Sequence, residues 1–234
     1  MTEIATNISR LREEIHDAAN KSGRHGSDIC LVAATKTQSA ATIQAAIQAG
    51  IDTCGENKVQ ELTEKKAENA YAGAACHFIG HLQKNKIRKV VGAVDVIQSV
   101  DSIALLQGIN RVAEELKICQ NVLIQVNIGN DFDKFGIDAT ALDILLKQAE
   151  CLENTRIQGL MTILPLAAEE QETYALYQRL HQIYVDISAK TYHNTSMEIL
   201  SMGMSGDFMQ AIAAGANMVR IGSTIFGART YPTK

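Results

Sequence analysis

Proline is scarce in this chain, with two residues among 234, and no linker or low-complexity stretch interrupts the sequence. Apolar runs stay well short of the roughly 20 residues that a membrane-spanning helix needs, so we expect no such helix. The N-terminal stretch MTEIATNISRLREEIHDAA mixes charged and apolar residues, which is typical of an amphipathic helix and not of a signal peptide. We therefore expect residues 1–234 to form one domain without a membrane segment.

Paired cysteines are also missing. The five cysteines are odd in number and widely scattered, and no CxxC pair occurs among them. This pattern indicates reduced, mostly buried thiols in a cytoplasmic protein. A net charge of −4 gives no reason to expect a nucleic acid as a partner.

Glycine-rich nucleotide motifs are the third absence, since the chain has neither GxGxxG after its first apolar segment nor a Walker-type phosphate loop. Instead, apolar segments rich in Val, Ile and Leu alternate with helical patterns, which is typical of parallel strands buried on both faces. Eight such strands predict an α/β fold, a single (β/α)8 TIM barrel with an extra N-terminal helix. A doubly wound open sheet is the alternative, and the missing GxGxxG argues against it. The predicted strands are 29–35, 51–55, 76–80, 94–99, 121–128, 156–163, 197–202 and 217–222, and the predicted helices are 40–49, 57–70, 84–91, 102–117, 139–152, 169–189 and 205–214.

Polar residues stand at the carboxyl ends of these strands, where barrels place their functional sites. Lys36 follows the first strand in the segment ICLVAATKTQS. A lysine at this place either extends its ammonium group into solvent or lies partly desolvated, where its amine can attack a carbonyl and form a Schiff base. The lysine alone does not decide between the two.

The ends of the seventh and eighth predicted strands form the segment SMGMSGDFMQAIAAGANMVRIGSTIFG, residues 201–227. Ser205 suits the N-cap of the helix that follows, and free amides at such a helix start bind phosphate. Barrels often hold phosphates in the loops after strands seven and eight, here around Ser205 and around Gly222 and Ser223. Asp207 would repel the anion unless its side chain points away. Ordinary capping and close packing of glycine is the alternative interpretation.

Arg220 lies inside the apolar run MVRIG and needs a partner if it is buried. That partner is either a carboxylate, such as Asp207 or Glu198, or a neutral ring nitrogen that accepts a hydrogen bond from the guanidinium group. An amine, a phosphate loop and an arginine donor together fit one ligand, pyridoxal 5′-phosphate.

The sequence resembles the YggS/PROSC family of pyridoxal phosphate homeostasis proteins in six motifs that span nearly the whole chain. They are LVAATKT, GENKVQE, HFIGHLQKNK, GLMTI, LSMGMSGD and MVRIGSTIFGAR. The resemblance implies the barrel of the alanine racemase N-terminal domain, fold type III, with pyridoxal phosphate bound to Lys36 as a Schiff base. It further implies that Asn57 lies beside the ring and that Arg220 faces the pyridine nitrogen. The residues implied around the phosphate are Ser201, Ser205, Gly222 and Ser223.

Three other features are weaker. His77 and His81 have HxxxH spacing, but no third ligand is evident and we expect no metal site. The basic run Lys84, Lys86, Arg88 and Lys89 is interpreted as a solvated helix face, with a phosphorylated partner as the alternative. Lys134 is interpreted as part of a loop near the pocket mouth and not as the Schiff-base lysine.

Three functions compete at this point. The first is a carrier that buffers pyridoxal phosphate and delivers it to apo-enzymes, the second is an amino-acid racemase, and the third is a barrel without a cofactor. Alanine racemases that resemble this barrel carry a further C-terminal domain, which supplies a tyrosine base and contributes to the dimer. This chain ends at Lys234, and its tyrosines fall in helical or linking stretches or, for Tyr231, in the tail. We therefore expect a carrier, not an enzyme, and a monomer.

Overall fold

The computed structural model describes residues 2–129, 131, 134–164 and 169–227. Eight strands occur in this part of the chain. They are β1 (Cys30–Ala34), β2 (Thr53–Glu56), β3 (Ala75–Phe78), β4 (Val96–Val100), β5 (Gln120–Gln125), β6 (Thr155–Met161), β7 (Thr195–Ser201) and β8 (Met218–Ile221). The α-helices over the same residues are α1 (Glu3–Lys21), α2 (Ala40–Gln48), α3 (Val59–Ala67), α4 (Ile103–Glu115), α5 (Leu142–Ala149), α6 (Glu170–Ser188), α7 (Phe208–Ala213) and α8 (Ser223–Phe226). Short 3₁₀ helices cover Gly26–Asp28, Lys84–Lys89 and Ala139–Ala141.

The strands form a closed barrel in chain order, and the predicted (β/α)8 fold is confirmed. All neighbouring strands are parallel, and β1 pairs with β8 to close the sheet, with Val32 opposite Arg220. Because parallel strands in one barrel all point the same way, their carboxyl ends share one rim. The residues that follow β1, β2, β7 and β8 are therefore brought to the same side of the molecule.

The extra N-terminal helix is also confirmed. Thr2 caps α1 by accepting a hydrogen bond from the Ala5 amide, and Ile8, Leu11 and Ile15 form its buried face. This face packs on α2, α7 and α8. The Asn7 side chain adds a hydrogen bond of 3.1 Å to the Ile225 carbonyl, which ties the helix to the segment just beyond β8.

The main apolar core lies between the barrel and its helices, and a smaller cluster of Val96, Leu123 and Met161 packs separately. Each fully buried Leu or Ile side chain contributes about 1.5–3 kcal/mol relative to exposure, so this layer supplies most of the stability. Within the described ranges, no helix is both long and apolar enough to cross a bilayer.

Two helices differ from the sequence-based prediction. The segment predicted as a helix over 84–91 is a 3₁₀ helix of six residues, and like charges at Lys84 and Arg88 disfavour a longer α-helix. The helix predicted from residue 205 begins at Phe208. Its expected N-cap, Ser205, instead accepts a hydrogen bond from the Gly222 amide at 3.4 Å, so residues 205–207 form a turn.

Candidate functional site

The Lys36 segment leaves β1 at the common rim of the barrel. Thr35 is fully buried, and its amide donates to the Gly55 carbonyl at 2.8 Å, which continues the pairing of β1 with β2. Lys36 is half-buried, and Thr37 turns the chain with a φ of 65°. The lysine therefore stands where the strand stops, at the mouth of the barrel, as predicted.

Asn57 follows β2 at the same rim and is held by its neighbours. Its amide donates to Glu56 Oε1 at 2.8 Å. A Cβ on Gly80 would lie 2.0 Å from the Asn57 carbonyl oxygen, so only glycine permits the loop after β3 to approach this closely. The Asn57 side-chain oxygen Oδ1 is buried, and no residue in the described ranges forms a hydrogen bond with it. A buried acceptor without a partner is costly in a finished protein, so this atom is suited to a ligand.

The loops after β7 and β8 lie against each other and against β1. The Gly222 amide donates to the Ser205 hydroxyl, and a Cβ on Gly222 would contact Ala34, two residues before Lys36. Ser223 begins α8 directly after this glycine. The structure thus brings Ser205, Gly222 and Ser223 beside the end of β1.

The Asp207 carboxylate near these loops is hydrogen-bonded to other residues of the protein. Its Oδ1 accepts from the Met204 amide at 2.6 Å, and its side chain also bonds the phenol of Tyr177 on α6. Burial, followed by the charge of Asp207, raises the pKa of Tyr177, so the phenol stays protonated and donates. The side chain is committed to the loop and to an outer helix, as the phosphate interpretation requires.

Arg220 is 4% exposed and donates hydrogen bonds to the Ser201 hydroxyl at 2.6 Å and to the Thr162 carbonyl at 2.7 Å. Burial lowers its pKa to about 10, so the guanidinium is still charged at neutral pH. Glu198 instead pairs with Arg156 at 3.1 Å, and Arg220 has no ion pair with any residue that the structure describes. The charge of Asp207 raises the pKa of Arg220, but less than burial lowers it, and no described carboxylate forms a direct ion pair with the guanidinium group.

The bond from Arg220 to Ser201 is one end of a polar network inside the barrel. The Ser201 hydroxyl donates to Gln98 Oε1 at 2.7 Å, and Gln98 Nε2 contacts His77 Nδ1 at 2.8 Å. Burial lowers the pKa of His77 to about 4, so the ring is neutral at physiological pH. From the sequence alone, no role was assigned to Gln98. The signal was available, because a glutamine in the apolar run VIQSV needs a buried partner.

Ser201 differs from the other predicted phosphate residues in its described contacts. It is completely buried, and both of its hydrogen bonds run to the interior, to Arg220 and Gln98. These contacts connect Ser201 to Arg220, whereas Ser205 contacts Gly222 in the rim loops.

The two histidines do not meet. His77 is buried against Gln98, while His81 Nδ1 lies 3.3 Å from Asp101 Oδ2 and its ring stacks on Phe135. No group of three or more metal-ligating side chains is found in the described part of the chain.

In the basic run, Arg88 pairs with Glu115. The Lys134 carbonyl accepts from Asn127 Nδ2 at 3.3 Å, which places Lys134 in the loop beyond β5.

Comparison with known proteins shows which family the chain belongs to. The family described as "Alanine racemase, N-terminal domain" matches residues 6–230. A protein of Escherichia coli K12 named "Pyridoxal phosphate homeostasis protein" is 39% identical over 239 residues, covering 100% of each chain. The chain belongs to the pyridoxal phosphate homeostasis protein family. Residues 228 and 229, the last two of the motif MVRIGSTIFGAR, lie outside the described residues.

Solved structures agree with this family. PipY of Synechococcus elongatus PCC7942, whose structure has PLP bound, is 34% identical with a TM-score of 0.84, over 96% of this chain and 100% of PipY. Alanine racemase of Clostridium difficile 630 is 15% identical with a TM-score of 0.70, over 95% of this chain and 57% of the racemase. The second likeness establishes a shared barrel fold, as the sequence predicted.

Proposed function

We propose that this protein binds pyridoxal 5′-phosphate, buffers it and delivers it, with the cofactor held as a Schiff base on Lys36. The observation that carries the proposal is the meeting of β1, β2, β7 and β8 at one rim, which gathers an amine, a buried unsatisfied acceptor and two small-residue loops. Relatives named pyridoxal phosphate homeostasis protein, and the PLP-bound structure of PipY, support it.

The donor set fits this cofactor. Pyridoxal phosphate supplies an aldehyde that condenses with a primary amine and releases water. Lys36 provides the amine, and Asn57 Oδ1 can accept a hydrogen bond from a polar group of the cofactor. The donors to the phosphate are hydroxyl and amide groups of Ser205, Gly222 and Ser223. Ser201, expected at the phosphate, contributes in this proposal through its bond to Arg220.

Arg220 is proposed to face the pyridine nitrogen. A guanidinium group can donate hydrogen bonds and cannot accept them, so a ring nitrogen facing it stays unprotonated. An unprotonated ring withdraws electrons less strongly than one paired with a carboxylate. This arrangement favours holding the cofactor over amino-acid chemistry.

A racemase is the second candidate, because the matching family includes the barrel of alanine racemase. Racemisation needs a base on one face of the substrate and an acid on the other. Tyr71 donates to Glu56 and Tyr177 bonds Asp207, and burial raises the pKa of both phenols, so neither suits that role at neutral pH. Tyr231 lies outside the described residues. The carrier therefore ranks first.

The remaining proposals concern the setting of the protein. We propose a single domain over 1–234, a cytoplasmic location, a monomer, and apo-enzymes that depend on pyridoxal phosphate as recipients. The delivery part is tested by loading the protein, adding such an apo-enzyme and following its activity. Activation faster than with the same concentration of free cofactor supports delivery, and activation no faster than release into solution contradicts it.

Cofactor attachment is tested by reducing the loaded protein with borohydride and mapping the modified lysine by peptide mass. We expect the label on Lys36, its loss in Lys36→Ala, and its persistence in the control Lys134→Ala. A label on Lys134 in the unmodified protein would overturn the assignment.

A further inference from the structure

An ionic cluster joins α3 to the residues on either side of Lys36. Lys65 is 7% exposed, and its Nζ lies 2.5 Å from Glu56 Oε2 and 2.8 Å from Glu61 Oε2. The third acceptor of the same ammonium group is the Thr35 carbonyl, at 2.9 Å. Since an ammonium group donates three hydrogen bonds, these acceptors can satisfy Lys65 completely.

Thr37, on the other side of Lys36, is held by the same cluster. Its φ of 65° is uncommon for a β-branched residue and persists only where neighbouring groups enforce it. The Thr37 amide donates to Glu61 Oε2 at 2.7 Å, the oxygen that also binds Lys65. The backbone is therefore fixed immediately before and immediately after Lys36.

The cluster also reaches Asn57. Glu56 is fully buried and accepts from the Asn57 and Lys58 amides through Oε1. Burial by itself raises the pKa of Glu61, but hydrogen bonds from Lys65 and Thr37 outweigh it and leave the pKa below its usual value. Glu61 is thus ionised at neutral pH.

We propose that Lys65 and Glu61 are positioning residues, which hold the backbone around Lys36 so that its ε-amine meets the cofactor aldehyde. The inference rests on the proposed function, because it requires Lys36 to form the Schiff base. In that reaction the amine nitrogen bonds to the aldehyde carbon, the aldehyde oxygen leaves as water, and nothing is oxidised or reduced. Lys65 and Glu61 form and break no covalent bonds in this reaction.

The test compares two ligands with one difference. Pyridoxal 5′-phosphate carries the aldehyde, whereas 4′-deoxypyridoxine 5′-phosphate has the same ring and phosphate with a methyl group in its place. A positioning role predicts that Glu61→Ala weakens binding of pyridoxal phosphate about tenfold, the scale of losing a hydrogen bond to a charged group. Binding of the deoxy compound changes by less than about twofold, because it needs no contact with Lys36.

Two further variants sharpen the comparison. Glu61→Gln keeps an oxygen that can accept from Thr37 and Lys65, so it should retain most of the affinity for pyridoxal phosphate. Glu64→Ala is the matched control, since Glu64 is an exposed carboxylate on the same helix that contacts Gln60 and lies outside the cluster. It should bind both ligands as the unmodified protein does.

Lys65→Met alone leaves Glu56 buried without its cation and risks unfolding. The double variant Glu56→Gln/Lys65→Met removes both charges and still breaks the bond to Thr35, so it provides a second test with the same expected selective loss. Equal losses for both ligands, or no loss in either test variant, would overturn the positioning role. If borohydride reduction of the loaded, unmodified protein leaves no cofactor on Lys36, the proposed function itself fails. If the cofactor is found on Lys36 but the variants lose affinity for both ligands alike or for neither, only the positioning role fails.

Discussion

The Arg220 guanidinium group lies 2.6 Å from the Ser201 hydroxyl, inside the barrel and on neighbouring strands β8 and β7. That hydroxyl donates in turn to Gln98, so Ser201 uses both its proton and a lone pair on interior partners. This relationship separates two serines that the sequence had grouped together.

The first prediction follows from that separation. Ser205→Ala should weaken binding of pyridoxal phosphate about tenfold, through a lost bond to a charged group, and leave the weaker binding of pyridoxal unchanged. Ser201→Ala should weaken both ligands alike, because it disturbs Arg220, and it should lower the free energy of unfolding by about 1–3 kcal/mol. Equilibrium titrations with both ligands measure the difference. A selective loss for the phosphorylated ligand in Ser201→Ala would assign Ser201 to the phosphate after all.

The protonation state of the bound ring is the second prediction. With Arg220 as a donor, the nitrogen of ¹⁵N-labelled pyridoxal phosphate should give the NMR shift of an unprotonated pyridine across the neutral pH range. Free cofactor recorded through its own titration is the reference for both states. The shift of a pyridinium ion in the loaded protein would place an acidic partner at the nitrogen.

Amino-acid chemistry provides the third prediction. The loaded protein, given a panel of L- and D-amino acids in deuterated water, should exchange α-protons slowly and leave the enantiomer ratio almost unchanged. The reason is that Tyr71 and Tyr177 are bonded to Glu56 and Asp207 and their pKa values are raised, so neither phenol acts as a base at neutral pH. Rapid racemisation that disappears in Lys36→Ala would make the racemase the better assignment.

The fourth prediction concerns His77 and pH. Its folded-state pKa of about 4 lies below the ordinary value of 6.5, so the unfolded chain binds the proton first as pH falls. The contribution of His77 to the free energy of unfolding is therefore fully present above pH 6.5 and is lost as pH falls toward 4. The loss is about 2 kcal/mol between pH 7 and pH 5. Urea unfolding at both pH values measures it. The variant His77→Gln has no titrating group at this position. Its loss of unfolding free energy between pH 7 and pH 5 should therefore be smaller than that of the unmodified protein by about 2 kcal/mol. Equal losses in both proteins would contradict the assignment.

The fold was predictable because the apolar segments are regular. Their order placed Lys36, Asn57 and Gly222 at strand ends, and closure of the barrel brought these ends together. The Ser201–Gln98 contact was not predictable, since it joins residues 103 positions apart and depends on which side chains point inward. Lys65 was missed for a different reason: beside Lys66 on a charged helix it resembles a surface cation, and its burial depends on Glu56.

The pairing of β1 with β8 determines when the candidate site can exist during synthesis. Lys36 leaves the ribosome early, but the loop around Gly222 emerges almost 190 residues later. One edge of β1 can pair with β2 soon after synthesis, whereas the other edge has no partner until β8 arrives. Contacts of such long sequence separation form late in folding. A nascent chain therefore exposes the lysine before the loop around Gly222 exists, and if the proposed site is correct, retention of the cofactor reports that the ring of strands has closed.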